Sequence, residues 1–135
     1  MSEEYEAFAK KMEERFPKMF EGKYGGFAVG SGWYPILEIL CTNIQSHIDW
    51  RVKQGQDIAQ VTVEQIKEKF GGLRFYYQGG DDEISGMVRM AEAWAGTACE
   101  ECGAVGKRRS GGWIRTLCDT HEAERQERLK ERNNE

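Results

Sequence analysis

Three apolar stripes at helical spacing, two alternating segments joined by Gly71-Gly72, and four soft metal ligands in two pairs predict an α+β chain. The expected architecture has two parts. Residues 1–96 form three helices around a β-hairpin, and residues 97–135 form a small metal-held module ending in a helix.

The first helix is expected over residues 2–16, because Tyr5, Phe8, Ala9, Met12 and Phe16 recur at steps of three and four. Ser2, Glu3 and Glu4 suit its N-terminus, and Pro17 discourages continuation. The stretch Gly22–Trp33 is glycine-rich and lacks the Lys-Ser/Thr of a phosphate loop, so it reads as a connection needing positive φ and close backbone approach. A second helix follows over residues 34–54, with Pro35 in its first turn and Leu37, Leu40, Cys41, Ile44 and Ile48 facing the core. Cys41 on that stripe is a small hydrophobe rather than a ligand, and His47 is read as a surface or boundary residue.

Residues 61–78 predict the hairpin, with Ile66, Phe70, Leu73, Phe75 and Tyr77 on one face and Lys67, Lys69, Arg74 and Tyr76 on the other. A helix over 63–70, capped by Thr62 and Gln65, is the competing reading. A third helix spans residues 82–95, opened by Asp81 and Asp82, with Ile84, Met87, Val88, Ala91 and Trp94 inward.

The last part carries the strongest chemical signal. Cys99 and Cys102 are separated by two residues, fifteen intervene, and Cys118 and His121 follow with two between them. Three thiolates and an imidazole fill the four positions of a tetrahedral zinc ion and leave none open, so the expected cofactor is structural Zn2+. A redox dithiol or an iron–sulfur cluster is the alternative; Gly103 after the first pair and the histidine argue against them. Between the pairs, residues 107–109 and 113–117 read as two short strands around Ser110-Gly-Gly112. Cys118 and His121 then open the C-terminal helix, whose alternating charges make a solvated face. A turn-borne pair, a hairpin and a pair at a helix start together resemble the treble-clef class of zinc finger.

The chain has 135 residues, a net charge of −4 and a pI near 5.4. An acidic balance excludes generic coating of polyanions. The acidic opening Met1–Glu4 and the absence of a long apolar run predict a protein that is neither exported nor membrane-spanning, hence cytoplasmic with reduced thiols. No Ser-His-Asp, His-Glu-x-x-His or P-loop pattern occurs, and paired acids such as Glu100 and Glu101 read as solvated turn residues. The expected class is therefore a non-enzymatic binding protein with a protein partner. Nucleic acid or a nucleotide is the other expectation, through Lys107, Arg108, Arg109, Trp113 and Arg115 on the finger hairpin and Arg74 and Tyr76 on the first hairpin. A sponge for a small anionic nucleotide and a metal-dependent nuclease stand as the second and third functional readings.

Gly30-Ser-Gly-Trp33, Glu68-Lys-Phe-Gly-Gly-Leu-Arg-Phe-Tyr76 and Cys99-Glu-Glu-Cys-Gly103 with Gly112-Trp-Ile-Arg-Thr-Leu-Cys-Asp-Thr-His121 resemble a group of small bacterial and bacteriophage proteins. The resemblance covers roughly residues 25–122. It carries over no catalytic or binding residue, and it implies a phage accessory or counter-defence role by analogy.

Overall fold

The chain, described over residues 2–134 in a computed structural model, is a mixed α+β fold of four helices and two small sheets. Helix α1 (Glu3–Arg15) starts where the Ser2 Oγ accepts the Tyr5 N–H at 3.0 Å, with three glutamates in its first turn. Phe8, Met12 and Phe16 are buried, and Phe8 stacks on Tyr34 with centroids 4.0 Å apart.

The glycine-rich stretch is more than a connection. Gly25 and Gly26 take φ of 76° and 82°, turning the chain into a short strand, β1 (Phe27–Ala28). Ser31–Trp33 makes one 3-10 turn that leads directly into α2 (Tyr34–Lys53). Ile36, Leu37, Leu40, Cys41, Ile44 and Ile48 form its buried stripe, and burial pushes the Cys41 thiol pKa upward.

Strands β2 (Thr62–Lys69) and β3 (Gly72–Gln78) pair antiparallel, and β1 adds parallel to β2, giving the order β1-β2-β3. Two details depart from the expected hairpin. The two-residue turn is Phe70-Gly71, not Gly71-Gly72: Lys69 pairs with Gly72, while Phe70 and Gly71 both have positive φ, 53° and 80°. Phe70 therefore leaves the inner face and stands 62% exposed at the tip. The second departure is a bulge at Glu64, where two steps on β2 match one on β3. The extra residue resets the alternation, so Val63 and Ile66 both face the core although three positions separate them.

Helix α3 (Asp82–Ala95) packs on α2 and β3 with Ile84, Val88, Ala91 and Ala95 inward. Trp94, expected inside, is 41% exposed because Ala95 occupies the buried position in the last turn. His47, expected at the surface or boundary, lies at the boundary. Its side chain is 8% exposed, Nε2 lies 2.8 Å from Asp81 Oδ2, and Nδ1 lies 2.9 Å from Glu83 Oε2. Asp81 simultaneously caps α3 by accepting the Ile84 N–H, so one carboxylate joins α2 to the start of α3.

The C-terminal part contains the hairpin β4 (Lys107–Arg109) and β5 (Arg115–Leu117), then α4 (Asp119–Asn133). Its docking contacts include three short hydrogen bonds to backbone carbonyls. The Trp33 Nε1–H donates to Ala98 O at 2.9 Å, Gly32 N–H to Glu100 O at 2.7 Å, and Thr116 Oγ1–H to Gly71 O at 2.7 Å. Among the described residues, no helix is long and apolar enough to cross a membrane.

Candidate metal centre and neighbouring surfaces

Cys99 and Cys102 sit on a tight turn closed by Gly103, whose φ of 82° requires glycine and whose N–H donates to Cys99 O at 2.8 Å. Cys118 is the N-cap of α4: its Sγ accepts the His121 N–H at 3.4 Å, and His121 lies one turn further on. The two pairs converge. The four ligand atoms of Cys99, Cys102, Cys118 and His121 all lie within 4.8 Å of one another, a cluster able to hold a metal ion. Cys102 Sγ is 3.8 Å from Cys118 Sγ, and His121 Nδ1 is 3.2 Å from Cys118 Sγ and 3.5 Å from Cys99 Sγ.

The electrostatics suit a cation. Burial opposes ionisation of Cys99, but backbone N–H groups of Cys118, Cys102 and Glu101 outweigh it and lower its pKa to about 7. The Ala104 N–H favours the Cys102 thiolate, yet burial and the sulfurs of Cys99 and Cys118 together raise its pKa. A positive ion in this space would offset the repulsion from the neighbouring sulfurs that raises the Cys102 pKa. His121 presents Nδ1 inward, and its Nε2 lies 3.5 Å from Glu101 Oε2 and 3.9 Å from Glu124 Oε2. The His121 pKa is raised chiefly by the Cys118 sulfur, against burial, with smaller help from Cys99 and the Glu101 charge.

Glu100, read as a solvated turn residue, is instead 6% exposed and ties the site to the fold. Its Oε2 accepts the Gly30 N–H at 2.8 Å, and Oε1 lies 3.7 Å from Arg115 Nη2. Burial raises its pKa, against the pull of Gly30 and Arg115. A charged residue beside a ligand gave no sequence signal of burial, since its partner loop is seventy positions away.

The expected contact residues divide. Arg109 is held by Asp119 Oδ1 at 2.7 Å and Leu117 O at 3.2 Å. Arg115 is held by Glu100 and by Glu101, the latter at 3.3 Å. Both arginines brace the finger through these contacts. Lys107 and Arg108 are exposed, and Trp113 is 73% exposed. Arg74 and Tyr76 lie on the open face of the first sheet with Lys67, whose Nζ is 5.9 Å from the Tyr76 ring centroid.

One juxtaposition was not legible in the sequence. The β2–β3 tip and the β4–β5 loop meet, so Glu68, Lys69, Phe70, Gly112, Trp113 and Ile114 line one groove of about 360 Å³. Arg125 holds the loop side of it. This buried side chain donates from Nη2 to Trp113 O at 2.5 Å and Gly111 O at 3.2 Å. Compared with protein-family models, curated proteins and solved structures, the chain matches none.

Proposed function

We propose that this chain is a non-enzymatic binding protein, braced by a structural zinc ion and acting by occupying a macromolecular partner. A tetrahedral shell with Zn–S bonds of ~2.3 Å has sulfur–sulfur edges of about 3.8 Å, which matches the Cys102–Cys118 separation. Three sulfurs and one nitrogen complete that shell, so the ion would supply cross-linking of the turn to α4 and leave no position for a substrate. The turn-borne pair, the β4–β5 hairpin and the pair at the start of α4 follow the treble-clef plan. Reduced, metal-bound thiols fit a reducing compartment such as the cytoplasm. The other histidine, His47, is engaged by two carboxylates.

The observation that carries the binding reading is the groove between Phe70 and Trp113. Two large aromatic side chains from separate segments stand 62% and 73% exposed on its rims, a contiguous apolar pair of the kind that marks interaction sites. A counter-defence role of the kind the resemblance implies would use such a surface to sequester its target.

The test pairs stoichiometry with contact mapping. Elemental analysis is expected to find one zinc per chain, lost in Cys118→Ser together with thermal stability. A benzophenone amino acid replacing Trp113 is expected to give ultraviolet-induced adducts in cells, competed by excess wild-type protein but not by Phe70→Ala. Adducts no stronger than from an Arg128 substitution on α4, or turnover of any substrate requiring Cys118, would overturn the reading.

A further inference from the structure

The outer face of the β1-β2-β3 sheet is partly to fully exposed along Gln65, Lys67, Lys69, Arg74 and Tyr76, and its chemistry is distinctive. After the Glu64 bulge, alternation sends Lys67 and Lys69 of β2 and Arg74 and Tyr76 of β3 to this face. Lys23 joins them: with Tyr76, Gly25 and the carboxylate of Glu64 it lines a shallow groove of about 420 Å³ at the sheet's edge. Among the described residues, none of these four cations makes an ion pair. On the finger, Arg109 and Arg115 are engaged by carboxylates, whereas Lys107 and Arg108 are exposed and, among the described residues, unpaired as well.

The cations are interleaved with rings. Lys67 Nζ stands 5.9 Å from the Tyr76 ring centroid, and Lys69 Nζ 5.7 Å from that of Phe70. Tyr76 and Phe70 lie at opposite ends of the hairpin, on the order of 15 Å apart by strand rise, so they offer two stacking positions with cations between them. The opposing charges nearby are few. Glu68 is turned to the Gly71 N–H at 2.6 Å, and Glu64 is engaged by Gln78 at 3.1 Å. The chain as a whole carries −4, so a polyanion is repelled elsewhere and accepted here.

We propose that this sheet face binds single-stranded nucleic acid, with Tyr76 and Phe70 stacking on unpaired bases and Lys23, Lys67, Lys69 and Arg74 contacting the intervening phosphates. The inference rests on the binding reading above and names its partner class. Unpaired bases expose the faces that the rings require, whereas a duplex hides them; a protein segment would need paired or apolar contacts that this open, cationic face lacks.

Fluorescence anisotropy with labelled 12-nucleotide DNA and RNA strands tests it on the full zinc-loaded chain. Binding is expected for at least one of the two, at least 10-fold tighter than for the matching duplex and for free mononucleotides. Its log–log salt slope should be about −2 to −3, from three or four displaced counterions. Tyr76→Leu, which keeps bulk without a ring face, should weaken binding by about 5- to 100-fold. Lys67→Glu with Arg74→Glu should abolish it at unchanged zinc content, and Lys67→Gln with Arg74→Gln serves if the charge reversal does not fold. Equal affinity for duplex or mononucleotide, no binding at 50 mM salt, or indifference to these substitutions would overturn the proposal. Protein adducts from position 113 without strand binding would sink this inference and leave the binding reading intact, whereas strand cleavage requiring Cys118 would sink the binding reading.

Discussion

Trp33 donates its indole N–H to the carbonyl of Ala98 across 2.9 Å, with the whole side chain buried. Ala98 immediately precedes Cys99, the first cysteine of the candidate metal cluster, so this bond ties that turn to the base of α2. Trp33→Phe keeps the aromatic packing but leaves a buried carbonyl unpaired and a small void. A loss of about 2–4 kcal/mol in urea unfolding is expected, with faster zinc release to a chelator. Unchanged stability would show that the bond does not hold the turn.

Gly32 sits against the same turn. A side-chain carbon there would overlap Cys99 O and lie 2.6 Å from Gly103 N and 2.7 Å from Cys102 N. All three are backbone atoms and cannot step aside independently. Gly32→Ala is therefore expected to lower zinc affinity at least ~10-fold in competition titrations, by prising the ligand turn away. Gly22→Ala, with open space around it, should stay within about 0.5 kcal/mol of wild type.

Phe70 holds φ of 53° at the hairpin tip, a left-handed conformation that a bulky residue rarely takes. Phe70→Asn places the favoured Asn-Gly pair in the turn and is expected to raise stability by about 0.5–1 kcal/mol while weakening partner binding. Calorimetry and anisotropy on the same variant separate the two effects. A variant both less stable and equally competent would mean that Phe70 serves packing instead.

Arg125 reaches from α4 to the carbonyls of Gly111 and Trp113. Arg125→Leu removes the tether without touching a ligand residue. Amide exchange over residues 110–114 is expected to quicken ~10-fold or more, with zinc content preserved and binding through Trp113 reduced. Unaltered exchange would show that the loop holds itself.

Asp81 accepts from His47, and that hydrogen bond, with the Ile84 N–H cap and Arg51 nearby, lowers its pKa against a smaller effect of burial. A carboxylate depressed on folding stabilises above its unfolded pKa and loses that contribution as pH falls through the lower folded value. Asp81→Asn keeps a capping oxygen but removes the charge that His47 and Arg51 engage, so it should cost on the order of 1 kcal/mol at pH 7, and the difference from wild type should shrink below about pH 4. Urea midpoints at pH 7, 5 and 3.5 test this; a pH-independent difference would exclude the linkage.

The sequence by itself determined the features that short-range rules control. The helical period drew α1, α2 and α3 to within a few residues, and metal chemistry demands ligand types and spacings that Cys99, Cys102, Cys118 and His121 display openly. Tertiary structure alone decided the features that depend on distant partners. Whether Arg109 and Arg115 are free or engaged, whether Glu100 is solvated or buried, and whether Phe27–Ala28 is loop or strand each turn on residues far along the chain. The bulge at Glu64 and the Phe70 turn have the same origin: placing Val63, Ile66, Leu73 and Phe75 together in the core outweighs regular alternation and the more obvious Gly-Gly turn. That choice pushed Phe70 outward, and docking of the finger brought Trp113 beside it.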